Sequence, residues 1–258
     1  MANSKYEYVK SFEVEDRLLP CTWVVVRIDG RSFHRFADVH GFEKPNDINA
    51  LNLMNECAKA VMEDLTDIVF AYGVSDEYSF VIQKASNLYK RRSSKLVSVI
   101  VSLFAASYVF NWHTHFPDKK LQYPPAFDGR AVCYPDDSIL RDYLSWRQVD
   151  CHINNQYNTC LWSLIKAGKS KDCANSELKG TRADFKNEML FTQFGINYNE
   201  LPQLFRKGSY IYRKKVQNST ANGTQISRKS SFVVTIDHGD IIGDTFWKEH
   251  PYILGAEE

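Results

Sequence analysis

DIVFAYGVSDEYSFVIQ (67–83) is the stretch that decides the fold. Asp67–Tyr72 and Tyr78–Gln83 are rich in β-branched and aromatic residues, and Gly73-Val-Ser-Asp-Glu77 between them is turn-like. The stretch therefore reads as two short strands close enough to form a hairpin. Upstream, Leu51, Met54, Ala58, Val61, Met62 and Leu65 recur at helical spacing behind a start signal at Pro45-Asn-Asp47. Further upstream, Trp23-Val-Val-Val-Arg-Ile-Asp29 is a buried-strand pattern broken at Gly30. Downstream, Ser93 or Ser94 offers an N-cap for a helix containing 96–110, and Arg130–Tyr134 is a fourth strand. The order β-α-β-β-α-β is the ferredoxin-like unit, an antiparallel sheet with helices on one face, and makes the fold class α+β.

That order brings distant acids together. Asp29 ends the first strand, and Asp76 and Glu77 sit in the hairpin turn that lies beside it. Crowded carboxylates repel one another and usually share a cation, and hard oxygen ligands near solvent suit magnesium. Asp-Gly and Ser-Asp are also ordinary turn formers, so spacing alone leaves that plainer reading open. Gly30-Arg31-Ser32-Phe33-His34 can present backbone N–H groups to a phosphate. Neither a P-loop sequence nor the G-x-G-x-x-G dinucleotide fingerprint occurs in the chain. Lys90, Arg91, Arg92 and Lys95 stand at a predicted helix start, which favours an anion unless the run is simply solvated.

The second half has a different texture. Pro135–Lys166 reads as helical, with an apolar stripe of Val149, Ile153, Tyr157, Leu161 and Leu164. His152, Asn155 and Thr159 fall on another face, and His, Asn and Tyr on one helix can read unpaired bases. Residues 168–187 are polar and loop-rich; strands at Tyr210–Val216 and Ser231–Asp237 flank a polar loop, 217–230. The organisation expected is a catalytic region over 1–135 and a helical and β-hairpin region over 136–258 packed on it as one unit.

Composition narrows the class. The 258 residues carry 32 Lys plus Arg against 31 Asp plus Glu, and 44% are apolar. That excludes disorder as the dominant state and gives no global electrostatic case for nucleic-acid binding. Cys21, Cys57, Cys133, Cys151, Cys160 and Cys173 are scattered without metal spacing, which reads as reduced thiols inside a cell. The uncharged run Leu96–Phe110 is shorter than the roughly 20 residues of a membrane span, so no membrane role is expected. Met1–Phe12 has no pattern of a secretory or transit signal.

Seven stretches together resemble one family, the eukaryotic tRNA(His) guanylyltransferases, along nearly the whole chain. They are VVRIDGRSFHRF (25–36), KPND (44–47), GVSDEYSF (73–80), YLSWRQVDCHINNQYN (143–158), KNEMLF (186–191), FGINYN (194–199) and DIIGDTFWKEHP (240–251). The resemblance implies a polymerase-palm-like catalytic region and addition of one guanylate to the 5′ end of tRNA(His), in the 3′→5′ direction. ATP adenylylates the 5′-monophosphate, the GTP 3′-hydroxyl displaces AMP, and pyrophosphate is then removed.

It also implies residue roles. Asp29 and Asp76, with the Gly30 carbonyl, would hold two Mg²⁺ ions, and Glu77 would be an auxiliary catalytic acid. Residues Asp29, Gly30, Arg31, Ser32, Phe33, His34, Ser75 and Asp76 would hold nucleotide. Lys44, Asn46, Arg92 and Lys95 would neutralise the triphosphate, with Arg27 supporting the site. His152, Asn155, Asn158 and Lys186 would serve tRNA. The family implies a homotetramer, and the compartment expected is cytoplasmic, nuclear or both. Competing readings are a template-dependent repair polymerase for tRNA 5′ ends, a palm-type nucleotidyl cyclase, and a tRNA-binding protein without chemistry.

Overall fold

Val24, Val26 and Ile28 point to one side of the first strand and Trp23 and Val25 to the other, and all five are buried. A strand buried on both faces must lie inside a sheet covered on both sides. The computed structural model, which describes residues 4–218 and 229–255, has that arrangement. Its elements are β1 (Trp23–Gly30), α1 (Phe33–Val39), α2 (Ile48–Asp64), β2 (Ile68–Val74), β3 (Glu77–Ile82), α3 (Ser93–His115) and β4 (Phe127–Tyr134). These are followed by α4 (Asp137–Lys166), α5 (Lys171–Leu178), α6 (Ala183–Phe194), α7 (Gln203–Lys207), β5 (Ser209–Asn218), β6 (Lys229–Asp237) and α8 (Asp244–Glu249).

The sheet is antiparallel throughout, with strand order β4-β1-β3-β2-β5-β6. The β-α-β-β-α-β unit supplies the first four strands. Its two long helices, α2 and α3, share one core with Val24, Val26, Ile28 and Phe80. The opposite face, with Trp23, Val25, Phe70, Tyr72 and Val81, packs on Leu140, Tyr143 and Leu144 of α4 and on Phe246 and Trp247 of α8. A third cluster joins the far half of α4 to α5 and α6 through Leu161, Leu164, Leu178, Met189 and Leu190. The late hairpin lies in the same sheet, since β5 pairs with β2 (Phe70↔Tyr212, Gly73↔Ser209).

Several local expectations change. The hairpin turn shrinks to Ser75 and Asp76, because β2 runs to Val74 and β3 resumes at Glu77. Ser75 takes the left-handed conformation (φ 54°) that so short a turn demands. Phe33 and His34, the end of the stretch read as presenting N–H groups to a phosphate, open the unanticipated helix α1. Neither Ser93 nor Ser94 caps α3; the Asp16 carboxylate, 78 residues upstream of Ser94, accepts from the Ser94 N–H instead. The helix is also longer than the apolar run, 23 residues, and by length and composition could cross a membrane. Its stripe of Leu96, Ile100, Phe104, Tyr108 and Trp112 is buried against sheet and α2, as in a core helix.

Residues 168–187, read as loop, hold α5 and the start of α6, with Ser170 capping α5 by accepting from the Cys173 N–H at 3.2 Å. On α4 the expected apolar stripe is only half right. Leu161 and Leu164 are buried, but Val149 and Ile153 are 42% and 56% exposed. The helix instead buries Arg147, Gln148, Asn155, Gln156 and Thr159. The reason is what faces them: Gln148 meets the carbonyls of Lys207 and Gly239 and the N–H of Ile241, all at 2.9 Å. Gln156 donates to the Ala183 carbonyl and to Asn187. Of the six cysteines, all unpaired, Cys57, Cys151 and Cys160 are buried and Cys21 and Cys173 exposed. The polar loop 217–230 lies for the most part outside the described residues.

Candidate functional site

Register places the acids. Asp29 pairs with Glu77 across β1–β3 and with Asp128 across β1–β4, so three carboxylates form a row over three adjacent strands. Asp76 adjoins the row from the turn, where its carbonyl accepts from the Gly30 N–H at 3.1 Å. Gly30 is required here: a Cβ would lie 2.3 Å from the Phe33 ring, which stacks on Phe36 in α1. Burial, then Asp128, raises the Asp29 carboxyl above its usual range, against the pull of Arg27. Burial, then Asp29, does the same to Asp76. In both, burial of the charged form is the larger cause and a neighbouring carboxylate adds to it.

Glu77 is different. Burial raises its carboxyl too, but Arg147 opposes this directly. The Arg147 guanidinium donates to both Glu77 oxygens at 3.0 Å, and Arg27 Nε lies 3.6 Å from one of them. Arg147 also donates to Asp150 at 2.8 Å and sits 3.7 Å from the centroid of the Trp146 ring. Sequence reasoning assigned Arg147 no role. The signal available was an Arg and an Asp three apart on a helix, beside a Trp, within a matched stretch.

Beside Asp76 a pocket of about 260 Å³ opens between α1, α2 and α4. Its polar groups include His34, Lys44, Asn46, Ser75, Asp76 and Asn158. Phe33, Phe42, Met54, Leu161 and Trp162 give it an apolar wall. An apolar pocket with a few converging polar groups is the usual form of a small-molecule site. Lys44 Nζ lies 3.2 Å from Asp38 and 5.9 Å from the Trp162 ring centroid. Asp47 shapes the pocket edge by capping α2, accepting from the N–H groups of Asn49 and Ala50 at 3.0 and 3.1 Å. Phe42, Trp162 and Lys171, which the motifs did not single out, line it as well.

The other sequence candidates divide. Arg31 and Ser32 are exposed on the turn into α1, where the Arg31 N–H donates to the Ala126 carbonyl at 2.8 Å. Arg92 and Lys95 stand apart at the start of α3, about 20 Å of helix rise from Tyr108, which lines the pocket. Asn158 reaches the pocket, whereas His152 is exposed farther along α4. Asn155 and Lys186, expected at an RNA surface, are 5% and 9% exposed. The Lys186 ammonium donates to the Thr181 carbonyl at 2.8 Å, and Asn155 accepts from Asn46 at 2.8 Å.

Among the described residues no three His, Cys, Asp or Glu side chains gather into a ready metal cage. Two half-buried carboxylates that repel each other, with a main-chain carbonyl beside them, nonetheless fit a hard cation that completes its shell with water and substrate oxygens.

The tRNAHis guanylyltransferase family model matches residues 6–135, and that of the Thg1 C terminal domain matches 138–243. The chain is 59% identical over 250 residues to tRNA(His) guanylyltransferase 2 of Arabidopsis thaliana, covering 96% of this chain and 47% of that protein. It thus spans about half the length of that plant relative, and 43% of a second. It is 55% identical to the probable tRNA(His) guanylyltransferase of Dictyostelium discoideum over 100% of both chains. The crystal structure of the Saccharomyces cerevisiae tRNA(His) guanylyltransferase superposes with a TM-score of 0.78 at 46% identity, over 81% of this chain and 93% of that one. A bacterial guanylyltransferase-like protein in complex with ATP superposes with a TM-score of 0.74 at 25% identity, over 97% of each chain. With both regions matched and identity above half over the full length of the Dictyostelium protein, the chain belongs to the tRNA(His) guanylyltransferase family.

Proposed function

We propose that this chain is a nucleotidyltransferase that adds guanylate to the 5′ end of tRNA(His), growing the strand in the 3′→5′ direction. The observation that carries this is Asp76: its half-buried carboxylate sits between Asp29 and the pocket holding His34, Lys44, Asn46 and Ser75. Nucleotide-bound bacterial relatives, one with ATP and one with GTP, support the choice of ligands.

The chemistry needs an activation step because a 5′-monophosphate has no good leaving group. A tRNA 5′-phosphate oxygen attacks the α-phosphorus of ATP and releases pyrophosphate, leaving a 5′-adenylylated end. The GTP 3′-hydroxyl then attacks the tRNA 5′-phosphorus, and AMP departs with the bonding pair. Water finally removes pyrophosphate from the new 5′-triphosphate. Asp29, Asp76 and the Gly30 carbonyl would hold the two Mg²⁺ ions, which when bound would stabilise phosphate charge and acidify the attacking hydroxyl. Lys44 and Asn46 face the triphosphate, and the Ser75 and His34 side of the pocket orients it. The apolar wall offers a base a surface to stack on and keeps water away. Glu77, already held by Arg147, shapes the field around Asp29. On this reading the enzyme works inside the cell, in cytoplasm or nucleus, as a homotetramer.

The test is incorporation of α-labelled GTP into 5′-monophosphorylated tRNA(His) with ATP and Mg²⁺, beside a tRNA with another anticodon. Label on tRNA(His) alone is expected. Label on both would replace the reading with a repair polymerase on the same sheet, and label on neither would overturn it.

A further inference from the structure

FGINYN (194–199) matches the family yet has no part in the site described above. Its Tyr198 is 3% exposed and points at the HINNQYN segment of α4. The Tyr198 hydroxyl donates to the His152 carbonyl at 3.2 Å and accepts from Asn155 Nδ2 at 3.1 Å. Its ring meets the His152 ring edge-on, 5.3 Å between centroids at 71°. Asn155 Oδ1 in turn accepts from Asn46 Nδ2 at 2.8 Å, and Asn46 lines the pocket. Four residues thus form one hydrogen-bonded chain from pocket to exposed helix face.

The polarity of that chain matters. An asparagine amide has an accepting end and a donating end, and its orientation is set by its partners. Asn155 is 5% exposed, so water cannot take over for a lost partner. Because the Tyr198 proton has His152 acceptors, the carbonyl at 3.2 Å and Nδ1 at 3.4 Å, its oxygen is left to accept from Asn155, whose own oxygen faces Asn46. Without the hydroxyl, Asn155 Nδ2 loses its acceptor, and the Asn46 donation alone is left to hold the amide in place.

We propose that Tyr198 is a positioning residue for the pocket: by accepting from Asn155 it fixes how Asn46 is presented to the bound molecule. Only the choice of ATP as probe rests on the functional reading above. The test compares Tyr198→Phe, which keeps the ring, with Asn46→Ala and with the double variant. Amide hydrogen exchange over 44–50 and ATP dissociation constants by equilibrium dialysis are the readouts. Tyr198→Phe should speed exchange over 44–50 and weaken ATP about five-fold, the factor that one neutral hydrogen bond carries. The double variant should bind no more weakly than Asn46→Ala, since both cut one chain. Fully additive losses, or a lower melting temperature with unchanged exchange over 44–50, would overturn the proposal. If wild-type protein bound no ATP while exchange still responded to Tyr198→Phe, the nucleotide reading would fall and the positioning role would stand.

Discussion

At Asp76, folding itself works against charge. A carboxyl whose acidity is weakened in the folded protein holds its proton more tightly there than in the unfolded chain. Its charge therefore costs stability above the raised value, and the cost fades as pH falls through it. Asp76→Asn should accordingly raise the melting temperature of metal-free protein at neutral pH, while lowering guanylate addition on the order of a hundredfold or more. Calorimetry with and without Mg²⁺ checks the assignment. The ion should stabilise wild type and leave the variant nearly unmoved, and equal stabilisation of both would sink it. Glu77, one residue on, is raised by burial as well, but a Glu77→Gln change would also break its ion pair with buried Arg147, so the prediction does not carry over to it. Sequence could place Asp29, Asp76 and Glu77 at one sheet end, since strand order alone does that. Spacing could not separate Asp76 from Glu77, which only the family resemblance did, because the separating residue lies 70 positions away.

At the scale of elements, legibility followed how local the cause was. β1, β2, β3 and α2 were readable because their alternation or helical spacing is written in adjacent residues. The inner face of α4 was not, because amide side chains there satisfy backbone groups of α7 and of the segment after β6. Nothing in 137–166 announces those partners. α5 and the start of α6 were hidden for a related reason: their apolar contacts are made to α4 rather than along an adjacent run of sequence. Gln148 fastens three such backbone groups, so Gln148→Leu should destabilise the protein by roughly 2–4 kcal/mol, as buried groups left unpaired do. Denaturant unfolding of purified variant and wild type measures this, and a loss near zero would mean that water replaces the amide.

For the whole molecule, one sheet ties both sequence regions together. The face carrying Trp23, Val25, Phe70, Tyr72 and Val81 is covered by α4 and α8, and the β2 edge by β5. A chain ending at residue 135 would leave that face in water. It should show no cooperative thermal transition and should bind a hydrophobic dye, whereas a sharp calorimetric peak would mean that the first region folds by itself. Between the two regions α4 keeps angular phase. Arg147 must point at Glu77 and, eight residues later, Asn155 at Asn46, with Asn158 at the pocket. One residue inserted between 147 and 155 would turn everything beyond it by about 100°. Either the acid row or the pocket would then face the wrong side chains. The outward letters of this helix can drift, but its residue count between those two contacts is fixed by the acid row and the pocket together.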